Sequence, residues 1–398
     1  MRILQLCPKP PRPARDGGCL AMDAMTRGLL ADGHSVRLVV ICTEKHPHKP
    51  EALDSNYISS TKYQSISVNT ALHPVDALRH LIAGKSYHIG RFNSPDFTRE
   101  LENILRNEVF DIVLLESLFM TSYEGSIRRL SDAPIVLRAH NVEHKIWRGL
   151  TEEARTGPKK WYLSKLTKQL EEYESGHINN FDALVPVSHE DASTFRDLGA
   201  TVPIHVSPFG MDFEQRSASS TSKKVDHVFH FGSMDWLPNI QGVQWMIEEV
   251  WPKVREKNSE AILILAGRNM PARFKSDPSL GIKVIGEVEN ATEFLTRNGI
   301  MTIPLITGSG MRVKAIEGMS AGRPTVSTEI GVMGLNLTHG EHALITDSPD
   351  EFANHLLLLL SSPDKAHRIA QSGKVHIQKK FSNKNIISDL VKFLKKLY

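Results

Sequence analysis

Residues 300–327, IMTIPLITGSGMRVKAIEGMSAGRPTVS, decide the fold of this chain. Their pattern predicts a strand, a glycine-rich turn, a helix and a second strand, at 300–305, 308–310, 311–321 and 325–327. A glycine turn that opens a helix leaves backbone N–H groups directed at one point, where the helix dipole also favours negative charge. We therefore expect an anionic ligand at this turn.

The first turn of the predicted helix carries positive charge, although acidic residues usually occupy such positions. Arg312 and Lys314 are the candidate phosphate ligands; they point roughly 160° apart on a helix, so only one of them need face the ligand. Glu317 lies about two turns after Gly310 and could accept hydrogen bonds from a sugar diol, or pair with Lys314 on the same face. These residues predict a ligand that has both phosphate and hydroxyl groups.

The bulk properties exclude several classes of protein. A length of 398 residues predicts two domains, and a net charge of +3 argues against a dedicated nucleic-acid binder. Cys7, Cys19 and Cys42 form no disulfide framework and match no metal site, so we expect reduced thiols and no metal or other cofactor. No apolar run reaches the ~20 residues that span a bilayer, and the N-terminus lacks the features of a signal peptide. We expect a cytoplasmic protein.

Strands alternate with helices along almost the whole chain, which predicts an α/β protein with two doubly wound parallel sheets and a cleft between them. The predicted strands are 3–7, 36–42, 112–115, 135–137, 183–187, 228–231, 261–265, 284–285, 300–305, 325–327 and 343–346. The turn and linker residues near 207–222 place the domain boundary. We assign residues 1–207 and 208–380 to two Rossmann-like domains and 381–398 to a last helix with one apolar stripe.

Two further groups of residues follow predicted strands of the first domain. Gly17 and Gly18 could let the backbone approach a phosphate or a sugar, or simply open a helix, and they lack the dinucleotide-binding fingerprint. His140 and Asn141 should emerge at the carboxyl end of a strand, where His140 could bind sugar hydroxyls or a reacting phosphate, or brace the loop. We expect the next charged residues, including His144, to be solvated loop residues.

Four stretches, in chain order, carry a resemblance to a known family: 138–144 (RAHNVEH), 208–212 (PFGMD), 231–239 (FGSMDWLPN) and 304–317 (PLITGSGMRVKAIE). As a set they resemble the retaining glycosyltransferases of family four, which have the GT-B fold. The resemblance implies that the C-terminal domain binds a nucleotide-diphosphate sugar and the N-terminal domain the acceptor. It also implies that the last helix crosses back to the N-terminal domain.

The resemblance extends to individual residues of the donor site. It implies donor contacts from Gly232, Gly308, Ser309, Gly310 and Glu317, with Glu317 on the ribose. Arg268 and the backbone of Val288 follow strands that would meet the nucleotide.

The chain departs from the family pattern at two places. Ser309 stands where many members have a first glutamate on the transferred sugar, which leaves the donor sugar open. Ser233 and Met234 stand where many members have a phosphate-binding arginine, a charge that Arg312 or Lys314 could supply.

A basic amphipathic segment offers a contact for an anionic membrane. Lys159, Lys160, Lys165 and Lys168 flank Trp161, although a solvated helix would show the same pattern. Such a contact would suit a lipid-linked acceptor.

We expect a retaining glycosyltransferase in cell-surface polysaccharide synthesis, with His140, Arg312 and Lys314 as catalytic residues. A nucleotide-sugar epimerase of the same fold and a non-catalytic nucleotide-sugar-binding partner of another transferase remain alternatives.

Overall fold

The computed structural model describes residues 1–13, 16–154, 156–213, 225–297, 299–308 and 312–398, with the side chains of residues 52 and 153 excepted. Within these ranges the predicted α/β alternation is confirmed: the strands form two parallel sheets of six strands each. The predicted site residues Ser309 and Gly310, the predicted helix start at Met311 and the predicted linker tract 217–222 lie outside the described residues.

The strands of the first sheet, β1–β6, are Arg2–Cys7, Ser35–Cys42, Gln64–Ser67, Ile112–Leu115, Ile135–Ala139 and Ala183–Pro186. The strands of the second sheet, β7–β12, are Val228–Phe231, Leu263–Ala266, Ile282–Gly286, Ile300–Ile303, Thr325–Ser327 and Leu344–Ile345. Most of their residues are buried, as expected of parallel strands that have helices on both faces.

The helices α1–α9 are Gly17–Ala31, Ser55–Thr61, Pro74–Ile82, Tyr87–Gly90, Pro95–Asn107, Glu124–Leu130, Glu143–Glu153, Pro158–His177 and His189–Asp197. The helices α10–α16 are Leu237–Trp245, Trp251–Lys257, Ala291–Arg297, Val313–Ser320, Pro349–Ser361, Pro363–Lys380 and Asn383–Leu394. Short 3-10 turns cover Pro50–Ala52, Leu118–Tyr123, Ile178–Asn180, Pro278–Leu280 and Ile330–Val332, and Met246–Val250 is a π-helical turn.

The chain divides into two compact units. The first comprises Met1–Met211 and Asn383–Tyr398, and the second comprises Asp212–Ser382. The sheet orders are β3-β2-β1-β4-β5-β6 and β12-β11-β10-β7-β8-β9. Numbered from its own first strand, each sheet therefore has the order 3-2-1-4-5-6, in which the strand order reverses between the first and the fourth strand. Ligands of such sheets bind beside this reversal, at the edge where the strands have their carboxyl ends. We call this edge the carboxyl edge.

The last helix, α16, belongs to the first unit. Its apolar stripe of Ile387, Leu390, Val391 and Leu394 packs in one core cluster with Met25 and Leu29 of α1. Gly28 makes this approach feasible, because a Cβ atom at residue 28 would lie 2.4 Å from Cγ1 of Ile387. The side-chain amide of Asn383 donates to the carbonyl of Ala24 at 2.9 Å and fixes the start of the helix.

Several predicted boundaries were wrong for local reasons. Strand β3 was not predicted, because its sequence QSIS places only Ile66 in the core. Strand β10 ends at Ile303 rather than residue 305, where Pro304 has no N–H to donate to the sheet. Helix α13 begins at Val313, with Arg312 as its N-cap. Glu143 and His144 are not solvated loop residues; both are buried in α7.

Candidate functional site

In the first unit, a buried carboxylate lies at the strand-order reversal. Glu116 directly follows β4 and is 0% exposed. Its Oε1 accepts from Gln5 of β1 at 2.8 Å, and its Oε2 accepts from Arg138 of β5 at 2.8 Å. The next residue, Ser117, has φ of +140°, a conformation that costs energy and often accompanies a functional site. Glu116 was not predicted as a site residue, although a charged residue directly after the apolar strand IVLL was a sign of it in the sequence.

Glu116 also holds His140, which is 15% exposed, through Nε2 at 2.7 Å. Burial raises the pKa of Glu116, but Arg138 and His140 outweigh it and lower that pKa to about 2. Burial lowers the pKa of His140, and Arg138 lowers it further, against the opposite effect of Glu116. An ionised Glu116 only accepts, so a neutral His140 donates from Nε2 and presents Nδ1 as an acceptor.

Gly17 and Gly18 are the first two residues of α1, which begins directly at Gly17. Asp16 caps this helix, accepting from the N–H of Cys19 at 2.9 Å, and Lys9 pairs with Asp16 at 2.6 Å. Burial opposes ionisation of Asp16, but Lys9 and the cap lower its pKa to about 2. A Cβ atom at Gly18 would lie 3.2 Å from Nζ of Lys9. The ammonium group of Lys9 therefore lies beside Gly18, which was not predicted from the sequence.

A carboxylate of α8 fixes the start of α7, just after His140. The carboxylate of Glu174, from α8, accepts from the N–H groups of Glu143 and His144 at 3.1 and 3.2 Å and from Nδ1 of His144 at 2.6 Å. Burial, with Glu174 nearby, raises the pKa of Glu143 to about 7, although Asn141 partly offsets this. Asn141 is half-buried in the bend between β5 and α7. The structure thus brings His140, Asn141 and Glu143 together at the carboxyl edge of the first sheet.

The carboxyl edge of the second sheet is built on glycines. Gly232 follows β7, and Gly267 follows β8 with φ of +148°. A Cβ atom at Gly267 would lie 1.7 Å from the carbonyl oxygen of Gly232, so only glycine fits there. Gly308 has φ of +112°, and a Cβ atom at this residue would lie 3.1 Å from the ring of Trp236. The two loops after β7 and β10 therefore approach each other closely.

Arg312 lies inside this group of loops and is 5% exposed. Its guanidinium donates to the carbonyls of Gly308 at 3.0 Å and Ile330 at 3.1 Å, and it lies 5.4 Å from the ring centroid of Trp236. Burial lowers the pKa of Arg312 to about 10, so it keeps its charge near neutral pH. Arg312 therefore braces the backbone at Gly308 and Ile330 and contributes a positive charge there.

Lys314 and Glu317 form the ion pair that their spacing suggested. Nζ of Lys314 lies 2.8 Å from Oε2 of Glu317 and 4.7 Å from the ring centroid of Phe231. The side chain of Glu317 is 8% exposed, whereas that of Lys314 is 43% exposed. Because Lys314 lies in the first turn of α13, a polar ligand at the start of this helix would meet its ammonium group, which Glu317 holds from the side.

The remaining second-unit candidates lie at the same edge. The carbonyl of Arg268 accepts from the N–H of Met234 at 2.9 Å, which ties it to the loop of Gly232. Val288 lies two residues beyond β9 and is half-buried. Sequence analysis missed His230, whose pKa burial lowers to about 4. Its Nε2 has no hydrogen-bond partner among the described residues, and a Cβ atom at Gly232 would lie 3.0 Å from it.

Among the described residues, no group of three or more His, Cys, Asp or Glu side chains is arranged to hold a metal ion. None of the helices in the same ranges is long and apolar enough to cross a membrane.

Comparison with known proteins gives the family. The model "Glycosyltransferase Family 4" matches residues 21–215, and the model "Glycosyl transferases group 1" matches residues 226–362. The chain is 25% identical over 402 residues to an uncharacterized 44.6 kDa protein in the cps region of Klebsiella pneumoniae, covering 96% of this chain and 97% of that one.

Solved structures share the fold. HepE of Anabaena in complex with UDP matches with a TM-score of 0.68 and 14% identity over 100% of both chains. Sucrose-phosphate synthase of Thermosynechococcus elongatus matches with a TM-score of 0.71 and 13% identity over 100% of this chain and 99% of its own. With family models on both halves and two sheets of the same order, this chain belongs to the family 4 glycosyltransferases of the GT-B fold.

Proposed function

We propose that this glycosyltransferase moves a hexose from a nucleotide-diphosphate sugar to a saccharide or lipid-linked acceptor, with retention at the anomeric carbon. The observation that carries the proposal is the Lys314–Glu317 pair in α13, close in sequence to Arg312, whose guanidinium binds the carbonyl of Gly308. HepE of Anabaena has been solved with UDP and with UDP-glucose, so UDP is the first nucleotide to test.

In this proposal the diphosphate binds at the start of α13, where Lys314 and the helix dipole stabilise its charge. Glu317 accepts from the ribose hydroxyls, and the backbone of Val288 and the side chain of Arg268 contact the base or ribose. Gly232, Gly308, Ser309 and Gly310 let the phosphates approach the backbone. The neutral His230 adds a ring nitrogen beside Gly232.

Breaking the sugar–phosphate bond places negative charge on the departing diphosphate. Preorganised positive groups stabilise such charge, and one donor of this kind contributes about 3–4 kcal/mol. The donor phosphate itself takes the acceptor's proton, so the scheme needs no protein base and no metal. His140, held by Glu116, accepts a hydrogen bond from a sugar hydroxyl through Nδ1. Gly17, Gly18 and Asn141 line the same carboxyl edge as His140.

We further propose that the acceptor belongs to a cell-surface polysaccharide such as capsule or lipopolysaccharide, and that the enzyme works at the inner face of the cell membrane. The relative in the cps region of Klebsiella pneumoniae supports the first part. The basic segment around Trp161 supports the second.

A thermal-shift titration with a panel of nucleoside diphosphates tests the donor site. A nucleotide at 100 times its dissociation constant stabilises the protein by about 2.7 kcal/mol. We expect one base to give the largest shift, and Glu317→Gln to weaken its binding about tenfold or more, since a hydrogen bond to a charged group contributes roughly 1.5–3 kcal/mol.

The exposed Glu256→Gln on α11 is the matched control and should bind as the wild type does. Equal binding by Glu317→Gln and Glu256→Gln would remove the ribose role of Glu317. An absence of response to every nucleoside diphosphate would contradict the proposed donor site.

A further inference from the structure

Helix α3 presents an apolar stripe to solvent. Leu72, Val75, Leu78 and Ile82 are 73%, 63%, 55% and 79% exposed. Their spacing places Val75, Leu78 and Ile82 within roughly 60° of one another around the helix, with Leu72 one turn before it. No residue of α3 is buried. Apolar residues that share one face of an exposed helix mark a surface that binds something, unlike apolar residues scattered singly.

The opposite side of α3 is anchored to its own unit. The ring of His80 lies 5.4 Å from that of Tyr87, and a Cβ atom at Gly90 would lie 2.3 Å from Nε2 of His80. The carbonyl of Leu81 accepts from the side chain of Gln169, on α8, at 3.1 Å. Since His80 points roughly 200° away from Leu78 and from Ile82, anchoring this side turns the stripe outward.

The anchor at Gln169 connects the stripe to the basic half of α8. Lys165 and Trp161 lie one and two turns before Gln169 on the same face, roughly 6 and 12 Å along the helix. Both are exposed, Trp161 to 59%. The hydrogen bond between Gln169 and Leu81 therefore joins α3 to the half of α8 that carries an exposed tryptophan and lysine side chains.

The charge on α3 and on the first twelve residues of α8 is almost all positive. The stretches 72–85 and 158–169 carry Arg79, Lys85, Lys159, Lys160, Lys165 and Lys168, and Asp76 is their one acidic residue. Asp76 is paired with Arg79 at 3.4 Å. Exposed apolar side chains, an exposed tryptophan and several lysines are the composition typical of helices that lie in the headgroup layer of an anionic membrane.

We propose that α3 is the membrane-docking element of this protein: it lies in the plane of an anionic bilayer with Val75, Leu78 and Ile82 inserted, while Lys165 and its neighbours contact lipid phosphates. This inference rests on the membrane contact of the proposed function and deepens it by naming the helix and the lipid charge. It moves the apolar part of the contact from α8, where the sequence suggested it, to α3.

Flotation with vesicles tests the inference. The full chain should float with vesicles of phosphatidylglycerol and phosphatidylethanolamine, and much less with vesicles of phosphatidylcholine alone. The double variant Leu78→Glu, Ile82→Glu should lower the vesicle-bound fraction about tenfold or more, because each change removes a large apolar side chain from the contact. Lys165→Glu should weaken binding roughly fivefold and reduce its salt dependence.

Val375→Glu on α15 is the matched control, since Val375 is a comparably exposed apolar residue of the other unit, and it should float as the wild type does. Vesicle binding by the double variant equal to that of the wild type would overturn the role of α3 while leaving a membrane contact standing. If the wild type is a dimer, and the double variant is a monomer that still binds vesicles, then the stripe binds a second copy of this chain instead. A wild type that floats with neither vesicle overturns both membrane proposals, whereas the nucleotide titration tests the donor site independently.

Discussion

Glu116 shows how a single buried residue sets the chemistry of its neighbour. Its ionised carboxylate lies between Gln5, Arg138 and His140 and fixes which ring nitrogen of His140 carries the proton. The motif around His140 was visible in the sequence, but Glu116 lies 24 residues earlier and meets it only through the pairing of β4 with β5. Contacts between neighbouring strands are therefore what single-sequence reasoning missed at this edge.

Glu143 gives a pH-dependent prediction at the same scale. Its pKa is about 7 in the folded protein against 4.5 as its ordinary value, because burial and Glu174 disfavour the charged form. Because this pKa is higher in the folded than in the unfolded protein, protonation of Glu143 stabilises the fold. This stabilisation is fully present below about pH 4.5 and is lost as the pH rises through about 7. Glu143→Gln should therefore raise the free energy of unfolding at pH 8 by up to about 3 kcal/mol and make little difference near pH 4.

Urea unfolding of the wild type and of Glu143→Gln at several pH values measures this difference. The exposed Glu152→Gln on the same helix controls for a general change of charge. A difference between Glu143→Gln and wild type that stays constant across this pH range would show that Glu143 is not held in its protonated form.

Helix α16 illustrates what can be predicted for an element. Its amphipathic stripe was visible in the sequence, and so was its need for a partner. The partner face on α1 was not, because it depends on Gly28, which looks like any other helical glycine in a sequence. The start of α13 also depends on a contact that the sequence does not show: the helix begins at Val313, and the guanidinium of its N-cap, Arg312, donates to the carbonyl of Gly308.

Gly28→Ala tests the close approach of α1 and α16. The added methyl group would overlap Ile387, so we expect a loss of about 1–3 kcal/mol in the unfolding free energy, the usual cost of overpacking. Gly125→Ala is the matched control: this glycine also lies in a helix, but its added Cβ would meet no atom within 4 Å. It should be neutral or slightly stabilising, since alanine favours helix.

Thermal unfolding followed by circular dichroism compares the two variants. Shortening Ile387 to alanine in the Gly28→Ala background should recover part of the loss. If Gly28→Ala proves as stable as Gly125→Ala, α16 does not pack against α1 as described.

The whole molecule repeats one arrangement twice. Both sheets have the same strand order, and in each the candidate residues cluster where the order reverses. Alternating strands and helices, with buried strands recognisable by their apolar runs, made this architecture predictable from the sequence. Strand β3 and the roles of Glu116 and His230 were not predicted, because their environment is created by tertiary packing.

Transfer of a sugar to an acceptor is the activity that most directly distinguishes a transferase from an epimerase or a binding protein. Purified protein is incubated with a panel of UDP-sugars and a lipid and saccharide extract of cell envelopes, and products are detected by mass. We expect a product heavier by one sugar, with release of UDP. Glu317→Gln should need about tenfold or more UDP-sugar to reach the same rate, and Glu116→Gln, which leaves His140 without its ionised partner, should have a strongly reduced rate. Binding of a UDP-sugar without any sugar transfer to the extract, with that sugar recovered unchanged or converted to its epimer, would contradict this expectation.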